Sequence, residues 1–280
     1  MNYLNYEDIT FVITTFKSEK IIFDCLDSLD KRTKKIVIEN SSNYNLKKQL
    51  ETKYQNLKCY VMQENLGYGK GNNIGIQKSK TRYIFILNPD AKLLENTIAD
   101  MFKILKNINF SIAAPCEQYD INLKNFGKNE FLEKDYVRGF AMLIDKNVIQ
   151  NVGYFDENIF LYFEEIDLCR RAKIAGKKIY LVNTQIIHES GFSHADRKDF
   201  EMEKSRNWHW MWSKFYYNHK HKGFIWAFFI TFPNFFSAFF KMCFYFLIKR
   251  EIKKEIYMMR FKGLLNSYLM KKSFYRPYKE

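Results

Sequence analysis

Between residues 9 and 87, four short runs of β-branched and aromatic residues alternate with three segments of helical character, and this alternation limits the fold more than any other feature. The apolar runs are residues 9–14, 35–39, 58–62 and 83–87. Between them, residues 19–29 space Ile22, Leu26 and Leu29 along one helix face, residues 46–54 read as a second helix, and residues 69–79 open on glycines and read as a loop running into a third. Strands and helices in strict alternation imply an α/β domain built on a largely parallel sheet with helices on both faces. In such sheets ligands gather outside the carboxyl ends of the strands. The polar residues just past the first, second and fourth runs are Thr14 and Thr15, Glu39 and Asn40, and Asn88 and Asp90. They are expected to converge on one edge.

After about residue 99 the pattern is mixed. Residues 137–144 look like a strand, residues 155–176 hold an acidic and aromatic cluster with a short helix, and residues 178–182 and 186–188 look like two short strands. The composition changes around Trp208, which places a boundary near Ser205, with residues 1–205 as the α/β domain and 206–280 as a helical extension. The five cysteines are odd in number and show no CxxC spacing, so neither a disulfide framework nor a zinc site is expected, and a reducing compartment fits. The chain starts on a polar stretch and then a strand, without the pattern of a secretory signal.

The net charge is +14, and residues 241–280 hold eleven Lys or Arg against three Glu. Such a tail favours anionic partners. Just ahead of it, residues 224–240 carry no charge, Pro233 and Asn234 interrupt the apolar run, and basic residues flank it on both sides. Symmetric basic flanks argue against a spanning helix, whose positive flank is normally cytoplasmic. They are read as a pair of interfacial helices, broken at Pro233, on an anionic membrane face. A helical hairpin packed on the protein, or a dimer interface, is the competing reading.

Four constellations carry possible chemistry. In Asn88–Pro89–Asp90 a carboxylate at the end of a buried strand can bind a divalent metal, although a plain strand-ending turn has the same composition. Glu164, Glu165 and Asp167 put three acids among aromatics, where an apolar setting raises carboxylate pKa values and suits a general base; a solvated helix start is the alternative. His188 ends an apolar run as a candidate neutral metal ligand or an ordinary core histidine. Residues 65–73, from Asn65 through Gly67, Gly69 and Gly71 to Asn72 and Asn73, allow close backbone approach to a phosphate or ribose, or form a flexible turn.

The order and spacing of FVITTF, IVIENSS, ENLGYGKGNNIGI, YIFILNPDA, the long stretch from RGFAMLID to GKKIYLV, and IIHESGFS resemble the family 2 inverting glycosyltransferases, in particular their bacterial rhamnosyltransferase-like branch. The resemblance implies a GT-A fold, a Rossmann-like nucleotide-diphospho-sugar transferase. It places Thr14, Thr15, Glu39, Asn40, Asn65, Gly71, Asn72 and Asn88 at the donor, and Mg2+ or Mn2+ on Asp90 with help from His188. Glu39 stands where relatives carry Asp, and Asn88 replaces the first acid of the metal motif. Glu165 takes the place of the catalytic Asp, with Glu164 and Asp167 in support. The implied partners are a nucleotide-sugar donor with uridine or thymidine and a glycan or lipid-linked acceptor, at the cytoplasmic face of a membrane. A nucleotidyltransferase would share the strand-end acid and the glycines but would not need the acid cluster followed by His188. A non-catalytic relative, and a nucleic-acid binder with basic residues across the sheet, are the other readings; acids at the strand ends oppose the last.

Overall fold

A computed structural model describes residues 5–118, 126, 130–188 and 199–278. The chain divides into two compact units, Met1–Phe155 with Glu165–Arg197, and Asp156–Glu164 with Lys198–Glu280.

The first unit is a mixed α/β sheet. Strand β1 (Ile9–Thr15) is buried along its whole length. It runs parallel to β2 (Lys34–Glu39) on one side and β4 (Tyr83–Leu87) on the other, and β2 runs parallel to β3 (Leu57–Val61). Successive side chains of a strand point to opposite faces. Ile9, Phe11 and Ile13 accordingly join Phe85 and Leu87 in one core, while Val12 joins Ile84 and Ile86 in the other. Helices α1 (Ile22–Asp27), α2 (Tyr44–Lys53) and α3 (Tyr68–Lys78) link these strands.

Beyond β4 the parallel arrangement ends. Strand β5 (Ala91–Leu93) and helix α4 (Thr97–Leu105) lead to β6 (Ile112–Glu117), β7 (Phe131–Glu133) and β8 (Ala141–Asp145). Short helix α5 (Lys146–Ile149) and helix α6 (Glu164–Ile174) precede β9 (Ile179–His188). Strand β8 is antiparallel to both β4 and β6, while β9 is parallel to β6 and antiparallel to β5 and β7. The order is β3-β2-β1-β4-β8-β6-β9-β5. The two short strands expected at 178–182 and 186–188 are one ten-residue strand, because a register shift between Pro115 and Cys116 lets β6 follow β9 past the polar interruption.

The glycine-rich run is also not a loop. Gly67, at φ 84°, precedes the helix, and Gly69, Gly71 and Gly75 lie inside α3. A Cβ on Gly71 would lie 2.6 Å from Thr14 Cγ2, and one on Gly75 would lie 2.2 Å from Val12 Cγ1. The glycines therefore let α3 lie directly on β1.

The second unit holds α7 (Phe200–Lys222), α8 (Phe224–Leu247) and α9 (Glu251–Tyr268) together with residues 156–164. Asp199 caps α7 through the backbone N–H groups of Glu201 and Met202. The break expected at Pro233 is absent, since α8 runs through it unbroken. Pro233 removes one helix hydrogen bond, that to the Phe229 carbonyl. Asn234 is used within the unit, where Lys214 Nζ donates to its Oδ1 at 2.8 Å. Helix α8 buries its small residues, Ala227, Thr231 and Ala238. Phe228 and Phe235 pack on the cluster of Met211, Phe215 and Leu264, while many of the helix's other large residues face outward, with Phe229 66% and Leu247 75% exposed. By length and composition α8 is apolar enough to cross a membrane.

Candidate active site

The edge formed by β1, β2 and α3 brings Thr14, Asn40, Gly71 and Asn72 together. Thr14 Oγ1 donates to Asn72 Oδ1 at 2.8 Å, and Asn40 Nδ2 donates to the Gly67 carbonyl at 3.3 Å. The bare Cα of Gly71 faces both Thr14 and Asn40. Two buried groups here have no hydrogen-bond partner among the described residues: the acceptor Asn40 Oδ1 and the donor Asn72 Nδ2. A buried unsatisfied pair of this kind suits a polar ligand.

Three other expected donor residues face elsewhere in their local geometry. Thr15 Oγ1 turns into the sheet toward the Ile38 carbonyl at 3.4 Å. Glu39, fully buried, engages the loop after β2 with both oxygens, accepting from Ser41 N–H at 2.9 Å, from the Ser41 hydroxyl, and from Asn43 N–H at 2.6 Å. The longer Glu side chain is thus accommodated by bracing the loop that places Asn40. Asn65 Oδ1 accepts from Gly67 N–H at 3.0 Å and shapes the turn into α3.

A second group forms where β4 ends. Asn88 N–H donates to the Phe140 carbonyl at 2.8 Å, and its buried Oδ1 has no hydrogen-bond partner among the described residues. Asp90 is buried, and the pairing of β5 with β9 sets it beside His188, with Nε2 3.5 Å from its Oδ1. His188 Nδ1 lies 3.2 Å from Glu117 Oε1, Glu117 pairs with Arg138, and the His188 ring stacks on Phe140 with centroids 4.1 Å apart. Among the described residues no three His, Cys, Asp or Glu side chains form a ready metal cage. Glu189 to Ser193, the rest of IIHESGFS, lie outside the described residues.

The acid cluster opens α6. Glu164 and Asp167 are buried, and Glu165 is half-buried. Asp167 accepts from Arg171 Nε at 2.8 Å, and the same guanidinium donates to the carbonyls of Val152, Gly153 and Tyr154. Asp167 therefore anchors α6 to the preceding loop. Glu165 lies against the backbone of Gly139, where a Cβ would come within 3.2 Å of Glu165 Cβ. Burial pushes the Glu165 carboxyl above its ordinary pKa, opposed by the N–H groups of Glu165 and Ile166. Tyr68 of α3 donates to the Gly139 carbonyl at 2.7 Å.

Three consecutive residues thus join the two groups. Arg138 holds Glu117, Gly139 touches Glu165 and Tyr68, and Phe140 stacks on His188 and accepts from Asn88. Taken singly, Glu117, Arg138, Gly139 and Phe140 carry no chemical signal in the sequence. The strand-end rule applied to Thr14 and Asn88 points to Glu117 as well, once β6 is recognised as a strand.

The mixed sheet and its flanking helices are those of the GT-A fold class. The same fold occurs in the mannosyltransferase PcManGT from Pyrobaculum calidifontis, solved with GDP-Man and Mn2+, at 10% identity and a TM-score of 0.58, covering 95% of this chain and 88% of that one. Within that class the chain belongs to glycosyl transferase family 2, whose sequence profile matches residues 10–171. It is a glycosyltransferase. Among its relatives, the low-salt glycan biosynthesis hexosyltransferase Agl10 of Haloferax volcanii is 24% identical over 220 residues, covering 70% of each chain. Rhamnosyltransferase WbbL of Escherichia coli is 24% identical over 239 residues, covering 72% of this chain and 89% of the relative.

Proposed function

We propose that this glycosyltransferase moves a sugar, rhamnose first among the candidates, from a dTDP- or UDP-activated donor to a hydroxyl of a glycan or lipid-linked acceptor, with inversion at the anomeric carbon. The observation that carries this reading is the Arg138–Gly139–Phe140 bridge, which ties a half-buried carboxylate to a strand-end group holding a buried acid and an imidazole. The name of WbbL favours rhamnose.

In this reading Thr14, Asn40, Gly71 and Asn72 receive the nucleotide, with Asn40 Oδ1 and Asn72 Nδ2 making the polar contacts they lack within the protein. Glu39, Asn65 and Thr15 shape the walls. Glu165 takes the proton from the acceptor hydroxyl, whose oxygen attacks the anomeric carbon on the face opposite the diphosphate. A carboxylate whose pKa is raised by burial is a stronger base than a solvated one. Glu164 supports this group, and Asp167 fixes the helix that carries it.

Asp90 would hold Mg2+ or Mn2+ through its carboxylate, with the neighbouring His188 and the buried Asn88 Oδ1 in support. When bound, the metal supplies charge neutralisation for the departing diphosphate. A donor screen by thermal shift tests the reading. A rise in Tm with dTDP-rhamnose or a UDP-sugar that requires Mn2+ or Mg2+ supports it. No response to any nucleotide sugar, together with no donor turnover, sinks it.

Helix α8 supports a location at a membrane surface. A helix facing water turns its large apolar residues inward; α8 instead leaves Ile225, Phe229, Phe240 and Leu247 exposed. Lys249, Arg250 and Lys253 follow it and suit anionic headgroups. Co-sedimentation with phosphatidylglycerol vesicles that is lost on Phe229→Asp plus Phe240→Asp is the expected result; no sedimentation of the wild type removes the membrane reading.

A further inference from the structure

The segment leading into the acid cluster is held in a conformation that its own residues disfavour. Tyr162 and Phe163 are consecutive non-glycine residues in the left-handed region, at φ 69° and 72°. Such a conformation is disfavoured for residues with a side chain and persists only where the surroundings over-determine it. Here most of the surroundings are supplied by one helix, α7.

Residues 156–163 lie along α7. Asp156 accepts from Tyr216 Oη at 3.0 Å and from Lys220 Nζ at 2.7 Å. Phe160 sits between the His209 ring, centroids 4.4 Å apart, and the Arg276 guanidinium, 3.9 Å from its centroid. Ser213 Oγ donates to the Leu161 carbonyl at 2.8 Å. Trp210 meets Tyr162 edge-on at 5.2 Å and Phe163 at 5.4 Å, and Tyr217 adds a second ring to Phe163 at 5.5 Å. Residues 209, 213, 216, 217 and 220 recur at helical spacing, so one stripe of α7 makes most of these contacts. His209 is itself locked, its Nε2 2.9 Å from the Tyr275 carbonyl and its Nδ1 3.1 Å from Ser273 Oγ. Two residues after Phe163 the chain reaches Glu165. A shift of the clamped backbone is transmitted through only two peptide units.

We propose that α7 is a clamp that sets the backbone entering Glu165, with Ser213 and Trp210 as positioning residues for the transfer step. The proposal rests on the reading of Glu165 as the base. It gives the helical unit a role in turnover besides any role at a membrane. A reacting group misplaced by about 1 Å loses roughly a hundredfold in rate, so a loosened clamp acts on kcat before it acts on donor binding.

The test uses the full chain, with hydrolysis of dTDP-rhamnose in Mn2+ and amide hydrogen exchange across residues 161–166. Ser213→Ala and Trp210→Ala are expected to lower kcat about 10-fold or more while KM for the donor moves less than about 2-fold. Ser213→Thr and Trp210→Phe are expected to restore most of the rate. Met211→Ala removes a side chain from the separate cluster with Phe215, Ala227 and Leu264, and is expected to lower Tm while sparing kcat. In exchange, the two alanine variants open residues 161–166 and Met211→Ala does not. Wild-type kcat in folded Ser213→Ala and Trp210→Ala, or an equal loss in Met211→Ala, overturns the clamp. If the wild type hydrolyses no donor, the functional reading fails, and the exchange arm still decides: unchanged exchange in both alanine variants removes the clamp.

Discussion

The edge of β1, β2 and α3 and the segment ahead of α6 are built by opposite means. At the edge, regular elements do the placing. Parallel register sets Thr15 opposite Glu39, and two glycines let α3 rest on β1 so that Asn72 reaches Thr14. Ahead of α6, two strained residues are held by side chains some fifty positions later in the chain, such as Ser213 on Leu161. The carboxylates differ in the same way. Asp167 forms an ion pair with Arg171, whereas the half-buried Glu165 sits beside a bare glycine and keeps a raised pKa. A rigid edge suits a nucleotide that must be bound the same way each time. A base needs a carboxylate not already spent on an ion pair.

This contrast can be broken by separating stability from turnover. Asp167→Asn leaves the buried side of Arg171 without its charge partner, and removing one partner of such a pair costs about 3 kcal/mol. The expected outcome is a large drop in stability on chemical denaturation, with a loss of kcat per folded molecule much smaller than that of Glu165→Gln. A variant of normal stability but no activity would move Asp167 into the chemistry. Asp90→Ala is expected to do the reverse, lowering turnover about 100-fold and weakening the response to Mn2+, with a smaller change in Tm. Full metal-stimulated activity in that variant would remove Asp90 from the proposed metal site. Gly71→Ala sharpens the comparison at the edge. Its new methyl group meets Thr14, and overpacking of this kind costs about 2 kcal/mol. Donor KM is expected to rise with it, and an unchanged Tm and KM would mean that α3 has room to move.

Much of this edge is legible in the sequence because its signals are local. The runs at 9–14, 35–39 and 83–87 lie within one residue of β1, β2 and β4, and the strand-end rule then brings out Thr14, Asn40 and Asn88. The glycines were visible, but their use was not. A GxGxG run reads as a loop until the packing partner, the side chains of Thr14 and Val12, is known. Past β4 the sheet is assembled from strands distant in sequence, so the pairing of Ala91 with His188 and the meeting of Glu117 with Arg138 leave no periodic trace. Proline misled in α8, where tertiary packing keeps the helix continuous at the loss of one hydrogen bond. The division of labour among Glu164, Glu165 and Asp167 was hidden for a related reason, since the fate of each acid depends on Arg171, Gly139 and the residues preceding α6.

The central claim is that Glu165 acts as a base whose carboxylate is held at the expense of stability, and Glu165→Gln tests it across pH. Because burial raises the folded pKa of this carboxyl above its ordinary value of 4.5, the native state binds its proton more tightly than the unfolded chain does. Ionised Glu165 therefore destabilises the fold above the raised pKa, and this penalty fades as pH falls toward the ordinary value. The account expects Glu165→Gln to lower kcat by about 1,000-fold, to keep donor binding, and to raise Tm at neutral pH by a margin that shrinks on acidification. It also expects the wild-type rate to fall on the acid side at a pH above the usual carboxylate range. A Gln variant that transfers sugar at the wild-type rate, or whose Tm falls at neutral pH, would contradict it.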